Sequence, residues 1–410
     1  MKTDIDALMQ THNIDALLVT WPGQHNPAMV YLTCGAHLTN ADLIKKRGEE
    51  PVLFYNPMER DEAARTGMST KNLADYNLNE LIQQFNGDNS KAVAMRYRMM
   101  FKDLGISSGR VALFGRTDVG TSYAIFSAFQ RDVAELELVG GVGDSILTQC
   151  MATKDEAEVE RIRVMGRITV DVVGLVADFL TSHRAHNGTL RKADDSPLTI
   201  GDVKKRINLW LAERGAENPE GTIFSIGRDA GVPHSSGIPT DPLRLGQTII
   251  FDIFPCEAGG GYHYDFTRTW CLGYADDAAL ALFENVRTVY QRVMDELRSG
   301  VSFKHYQRLA CDLFEAQGHP TIQSNPQTQV GYVHSVGHGL GLYVHERPFS
   351  GVNASDADRL LPGVVATIEP GLYYPEQGMG MLLEDTIWVK PDNSIDILAK
   401  YPLDLILPIK

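Results

Sequence analysis

Thr248-Ile-Ile-Phe-Asp252-Ile-Phe-Pro255 and Tyr262-His-Tyr-Asp265-Phe-Thr-Arg-Thr269 decide how this chain is read. Each is an apolar, β-branched and aromatic run with one aspartate inside it, and Pro255-Cys-Glu-Ala-Gly-Gly-Gly261 between them has the composition of a hairpin loop. A carboxylate in the middle of an apolar strand is costly to bury without compensation. In a symmetric hairpin, opposed residue numbers have a constant sum. Asp252 and Asp265 sum to 517, which centres the turn between Ala258 and Gly259. The reading therefore sets the two aspartates face to face, with Cβ atoms about 5 Å apart.

The pattern returns downstream. Val364-Val-Ala-Thr-Ile-Glu369 and Met381-Leu-Leu-Glu384-Asp-Thr-Ile-Trp388 flank Tyr374-Pro-Glu-Gln-Gly378, and Glu369 and Glu384 sum to 753, again centred in the turn. Like charges opposed on a sheet repel, so either a cation lies between them or protons stay on and the pKa values rise. One such residue alone would read as an edge carboxylate facing water; two opposed pairs weaken that reading. Arg268 is no partner for Asp265, because three residues along a strand place it on the other face. A third stretch, Val333-His334-Ser-Val-Gly-His338-Gly-Leu-Gly-Leu-Tyr-Val-His345-Glu346, holds three histidines among glycines that permit close backbone approach. Four carboxylates and one imidazole suit Mn²⁺, Co²⁺, Fe²⁺ or Zn²⁺ as a bridged pair. Two such ions about 3.5–4 Å apart activate a water nucleophile near neutral pH. Calcium suits the set less well, since a histidine is included and no Asp-rich loop is present.

Around this centre, 410 residues predict two or three domains, and 43% apolar with 22% charged residues is a globular composition. With 38 basic and 52 acidic side chains the net charge is −14, which argues against a nucleic-acid partner. Charges interrupt Met1-Lys2-Thr3-Asp4-Ile5-Asp6 before any apolar stretch, so no signal peptide is expected, and no apolar run is long enough for a membrane span. Cys34, Cys150, Cys256, Cys271 and Cys311 are odd in number and never form a CxxC pair. They read as reduced, buried thiols of a cytoplasmic protein and not as zinc ligands.

The first half alternates apolar runs (Asp15–Thr20, Pro51–Tyr55, Val111–Gly115) with a helix predicted over Ser122–Arg131, an α/β pattern. Gly140-Gly141-Val142-Gly143 lacks the lysine and spacing of a phosphate loop and reads as a turn. A boundary near Cys150 divides the chain into domains 1–150 and 151–410. Thr153-Lys-Asp-Glu156 has the form of a capping box opening a long amphipathic helix that ends around His183. Further helices are predicted over Asp202–Glu213, Ala278–Arg298 and Phe303–Gln317, with strands over Thr248–Phe254, Tyr262–Leu272, Val364–Glu369 and Met381–Val389. The second half is therefore α+β with strands in pairs.

The ordered set Phe251-Asp252-Ile253, Tyr264-Asp265-Phe-Thr-Arg-Thr269, His334-Ser-Val-Gly-His338-Gly-Leu-Gly, Val344-His345-Glu346, Ile368-Glu369-Pro-Gly371 and Leu383-Glu384-Asp-Thr386 resembles the M24-type pita-bread metallopeptidases, in the group of Xaa-Pro dipeptidase (prolidase) and aminopeptidase P. It spans about residues 153–405, and residues 1–150 resemble the creatinase-type N-terminal domain of that group. The resemblance implies two divalent metal ions, manganese first, held by Asp252, Asp265, His338, Glu369 and Glu384, with Asp265 and Glu384 bridging. It also implies three histidines around the substrate, His234, His334 and His345. His234 sits in Val232-Pro-His-Ser-Ser-Gly-Ile-Pro239, where it would otherwise read as an exposed loop residue. The implied reaction is hydrolysis of the bond preceding proline in a small peptide. Glu369 would carry the proton, while His345 and His234 would stabilise the oxyanion. A homodimer is implied as well. The same fold also hosts aminopeptidases on longer peptides, a lyase, metal-free creatinase and binding modules. This chain departs from the group pattern at Leu382, where an arginine is usual, and at Tyr343, where an aspartate is common.

Overall fold

The computed structural model describes residues 4–141, 143 and 145–409. The turn expected at 140–143 includes Val142, and the signal-peptide reading includes residues 1–3; both positions lie outside the described residues. Contacts divide the chain into two compact units: one runs to Met151 and includes Gly259–Gly261, and the other comprises the remainder.

The first unit is a six-stranded sheet in the order Ser69–Asn72, Val52–Tyr55, Ala41–Lys46, Ala16–Thr20, Gly109–Gly115, Leu136–Val139. Its central strand Ala16–Thr20 is buried at every position and runs parallel to Gly109–Gly115 but antiparallel to Ala41–Lys46. A strand covered on both faces reads as an unbroken apolar run, which is what Ala16-Leu-Leu-Val19 is. Helices Asn89–Asp103 and Val119–Asp132 pack Tyr97, Phe101 and Phe129 against Leu18, Ile44 and Phe54.

The second unit begins with the helix Glu156–Thr181. Its capping box is Asp155 with Glu158, two residues beyond the expected pair: Asp155 Oδ1 accepts the Glu158 N–H at 2.9 Å and Glu158 Oε2 accepts the Asp155 N–H at 2.8 Å. The reason is tertiary. The Lys154 N–H donates to Gly363 O at 2.7 Å and the Lys154 side chain is buried in an ion pair with Glu346, so residue 154 is held outside the helix. Helices Ile200–Glu213, Asp277–Glu296 and Phe303–Ala316 follow. The last two pack Val286, Val293, Phe303, Tyr306 and Phe314 into an apolar core with Ile368 and Ile387 of the second hairpin.

The site rests on two sheets. In one, Thr248–Ile253 lies between Thr222–Ile226 and Phe266–Ala275, all antiparallel. In the other, Val365–Ile368 pairs with Asp385–Val389 and with the short strand His338–Gly339. A bridge between Thr267 and Glu384 joins them. Four of the five cysteines are buried thiols as expected; Cys34, which ends the short helix Pro27–Thr33 in the left-handed conformation, is exposed. Among the described residues no helix is long and apolar enough to cross a membrane.

Candidate metal centre

The second hairpin has the register expected of it: Ile368 pairs with Asp385, and Gly371 pairs with Leu382. Glu369 and Glu384 fall opposite one another in the break between these two ladders. Their backbone N–H groups donate elsewhere, Glu369 to Val336 O at 2.8 Å and Glu384 to Thr267 O at 3.1 Å. The break thus ties the hairpin to the histidine stretch and to the first hairpin.

The first hairpin does not have the expected register. Asp252 pairs with Thr267, not Asp265. The loop is not a symmetric turn, because Cys256–Glu257 pairs with Ala216–Glu217, a strand from earlier in the chain. The slip is two residues, so parity survives and both aspartates still point to the same face. They are diagonal neighbours, with Thr267 between them. Arg268 points the other way as expected, and its partner is Asp385 at 3.0 Å.

Three residues from three segments converge: Asp265, His338 and Glu384 each offer a ligand atom within 4.8 Å of the others, all buried. His338 Nε2 lies 3.8 Å from Asp265 Oδ2 and 3.3 Å from Glu369 Oε1. The His338 Nδ1–H donates to Gly339 O at 3.1 Å, which leaves the Nε2 lone pair facing the carboxylates. The glycines around it are required: a Cβ on Gly337 would lie 2.0 Å from Thr367 O. Asp252 faces the same group, adding to the charge felt by Asp265, Glu369 and Glu384. Asp252 Oδ1, Asp265 Oδ1 and Glu384 Oε1 are buried with no hydrogen-bond partner. Buried, orphaned carboxylate oxygens facing an imidazole lone pair fit a divalent cation and little else.

The electrostatics agree. Burial, followed by mutual repulsion, pushes Asp265 and Glu384 well above the ordinary carboxylate range. Burial lifts Asp252 to about 7, and burial with the Asp252 charge lifts Glu369 to about 8. Burial pushes His338 down to about 3 and His334 to about 4, so both are neutral imidazoles at neutral pH.

A pH dependence follows for metal-free protein. A carboxyl whose folded pKa is raised stabilises the fold at low pH and loses that contribution as pH rises through the folded value. The depressed histidines act oppositely, but only below their ordinary value of 6.5. Between pH 6.5 and pH 8 the carboxyls dominate, given values of about 7 for Asp252 and about 8 for Glu369. Chelator-treated protein is therefore expected to melt at a lower temperature at the upper end of that window, and Mn²⁺ to raise the melting temperature more there. A melting temperature that climbs across the window without metal would contradict these shifts.

Of the three histidines expected around a substrate, the His345 ring lies 4.2 Å from that of His338. His334 Nδ1 lies 4.0 Å from Glu369 Oε2, and its Nε2 accepts from the Tyr373 hydroxyl at 3.0 Å. His234 is exposed, and burial lowers the pKa of His345 as it does that of His334. Sequence reasoning missed the hydroxyls that hold the carboxylates: Thr267 Oγ1 donates to Glu384 Oε2 at 2.7 Å, and Thr367 Oγ1 lies 3.3 Å from Glu369 Oε1. Both lie two residues from a carboxylate on a strand, so face parity would have found them. Leu382 is buried with Ala230, Ile250 and Tyr373 in a small apolar cluster, while Tyr343 is 41% exposed.

A family model described as metallopeptidase family M24 matches residues 160–391, more than half of the sequence. The chain belongs to metallopeptidase family M24. A probable dipeptidase PepE from Mycobacterium bovis is 27% identical to it over 252 residues, 62% of this chain and 60% of that protein. An Xaa-Pro dipeptidase from Pyrococcus furiosus is 28% identical over 207 residues, 50% of this chain and 55% of that one. The matched part of this M24 chain thus spans little more than half the length of these relatives. A solved dipeptidase structure from Pyrococcus horikoshii covers 98% of both chains with a TM-score of 0.74 at 22% identity. The fold is the pita-bread fold of prolidases and aminopeptidases P, preceded by an α/β unit.

Proposed function

We propose that this M24 chain is a metal-dependent Xaa-Pro dipeptidase, hydrolysing the bond before proline in dipeptides. The observation that carries the reading is the convergence of Asp265, Glu369 and Glu384 on His338, with the Asp252 charge acting on all three carboxylates and three carboxylate oxygens lacking any partner. Asp252, Asp265, His338, Glu369 and Glu384 would hold two divalent ions, with manganese the first choice and cobalt, zinc or iron the others. When bound, such a pair polarises a carbonyl and lowers the pKa of water toward neutrality. The Pyrococcus furiosus Xaa-Pro dipeptidase supports the choice of substrate.

The side chains divide the remaining work. Glu369, 3.3 Å from His338 and 4.0 Å from His334, takes the proton of the attacking water and returns it to the departing prolyl nitrogen. His345 and His234 steady the negative charge that develops on the carbonyl oxygen. His334, held as a neutral ring between Tyr373 and Ser335, lines the substrate. A prolyl amide has no N–H, so the site needs a pocket for the ring and no acceptor beside it.

Turnover of Gly-Pro against Arg-Pro-Pro after chelation and metal add-back tests this. Metal-dependent cleavage of Gly-Pro is expected. Cleavage of the tripeptide alone would make the chain an aminopeptidase, and turnover of neither would remove the reading. Metal analysis of the same samples is expected to find more than one transition-metal ion per chain after Mn²⁺ incubation.

A further inference from the structure

Val333–Val336 belongs to no strand, yet it connects His334 to the backbone of Glu369. Buried backbone groups without a ladder need other partners. One side chain supplies them. Gln307, on the helix Phe303–Ala316, is fully buried. Its Oε1 accepts from the Val336 N–H at 2.5 Å and from the Tyr332 hydroxyl at 3.3 Å. Its Nε2 donates to His334 O at 3.3 Å and to Cys311 Sγ at 3.5 Å. The Gln307 amide therefore replaces a missing strand, accepting from one peptide group and donating to another two residues earlier.

Two connections lead from there to the centre. Val336 O accepts the Glu369 N–H at 2.8 Å. His334 turns its ring so that Nδ1–H donates to Ser335 O at 2.7 Å and Nε2 accepts from Tyr373 at 3.0 Å. The tautomer assigned to His334 follows from those two bonds. We infer that Gln307 is a positioning residue: through Val336 and His334 it sets the place of the Glu369 carboxylate and the orientation of the His334 ring, without touching substrate.

The inference rests on the hydrolase reading for its kinetic consequence only. Q307M keeps the volume and removes both bonds to the segment. Q307E keeps the acceptor for Val336 but, when ionised, cannot donate to His334 O; protonated, it can. Misplacement of reacting groups by about 1 Å costs roughly 10²-fold, so Q307M is expected to lose about that factor in kcat with a smaller change in KM. The ratio of Q307E to wild-type kcat at the same pH is expected to recover as pH falls from 8 to 5.5. A kcat for Q307M within twofold of wild type, or a Q307E ratio that stays low and flat from pH 8 to pH 5.5, overturns the inference; a ratio near one throughout is that of a buried glutamic acid that keeps its proton and so its donor. The His334 tautomer, read by nitrogen NMR shifts, gives a readout independent of turnover. Wild type is expected to carry the Nδ1 proton, and Q307E at pH 8, which serves if Q307M does not fold, to show a mixture. An unchanged tautomer in every folded variant overturns the inference even if no peptide is cleaved, whereas loss of turnover by wild type alone overturns only the proposed function.

Discussion

Glu369→Gln is expected to lower kcat/KM for Gly-Pro by roughly 10³-fold, the scale of a lost general base and acid. The amide keeps the shape and one oxygen, so metal content should fall far less than activity. What it removes is a carboxylate able to take up and release a proton; in the metal-free protein burial and the Asp252 charge lift its pKa to about 8. Thr367 Oγ1 at 3.3 Å and His338 Nε2 at 3.3 Å fix where that proton is carried. Steady-state kinetics with metal analysis on the same preparation separates the two effects. Near-normal turnover with metal retained would remove Glu369 from the chemistry, and turnover lost in step with metal would make it a ligand only.

Arg268→Met is expected to destabilise the protein by about 3–5 kcal/mol, the cost of leaving a buried charge without its partner. The Arg268 side chain is 1% exposed and that of Asp385 3% exposed. The guanidinium also donates to the carbonyls of Glu384 at 2.8 Å, Pro402 at 2.9 Å and Tyr401 at 2.9 Å. It lies 4.1 Å over the Phe266 ring. It is the pin that locks the first hairpin to the backbone of Glu384. Urea unfolding measures the loss, and R268M combined with Asp385→Leu should recover much of it, because an apolar pair no longer strands a charge. A single-mutant loss below about 1 kcal/mol, the scale of an exposed ion pair, would refute this role.

Glu369 and Glu384 were legible as an opposed pair because Tyr374–Gly378 is a local turn, and a local turn sets its own register. Asp252 and Asp265 were paired two residues out of register, because Cys256–Glu257 is claimed by Ala216–Glu217, a partner no hairpin arithmetic contains. The capping box moved by two residues for a like reason, since Lys154 is drawn to Gly363 and Glu346. Gln307 carried no signal at all: a lone glutamine on an amphipathic helix reads as an ordinary surface residue until the segment it faces is known.

From its own string of residues the chain specified which carboxylates share a face, where the long helices of its second half run and which glycines lie beside the histidines. Those properties depend on the two-residue period of a strand, the 3.6-residue period of a helix and the bulk of a Cβ, all of them local. Only the closed fold decided that Asp265, His338 and Glu384 lie within 4.8 Å of one another, and that Arg268 and Gln307 hold the segments bearing them. Such contacts join residues 29 positions apart (Gln307 to Val336) or 117 (Arg268 to Asp385), and their geometry is set by how two sheets and a helix pack rather than by any neighbour along the chain.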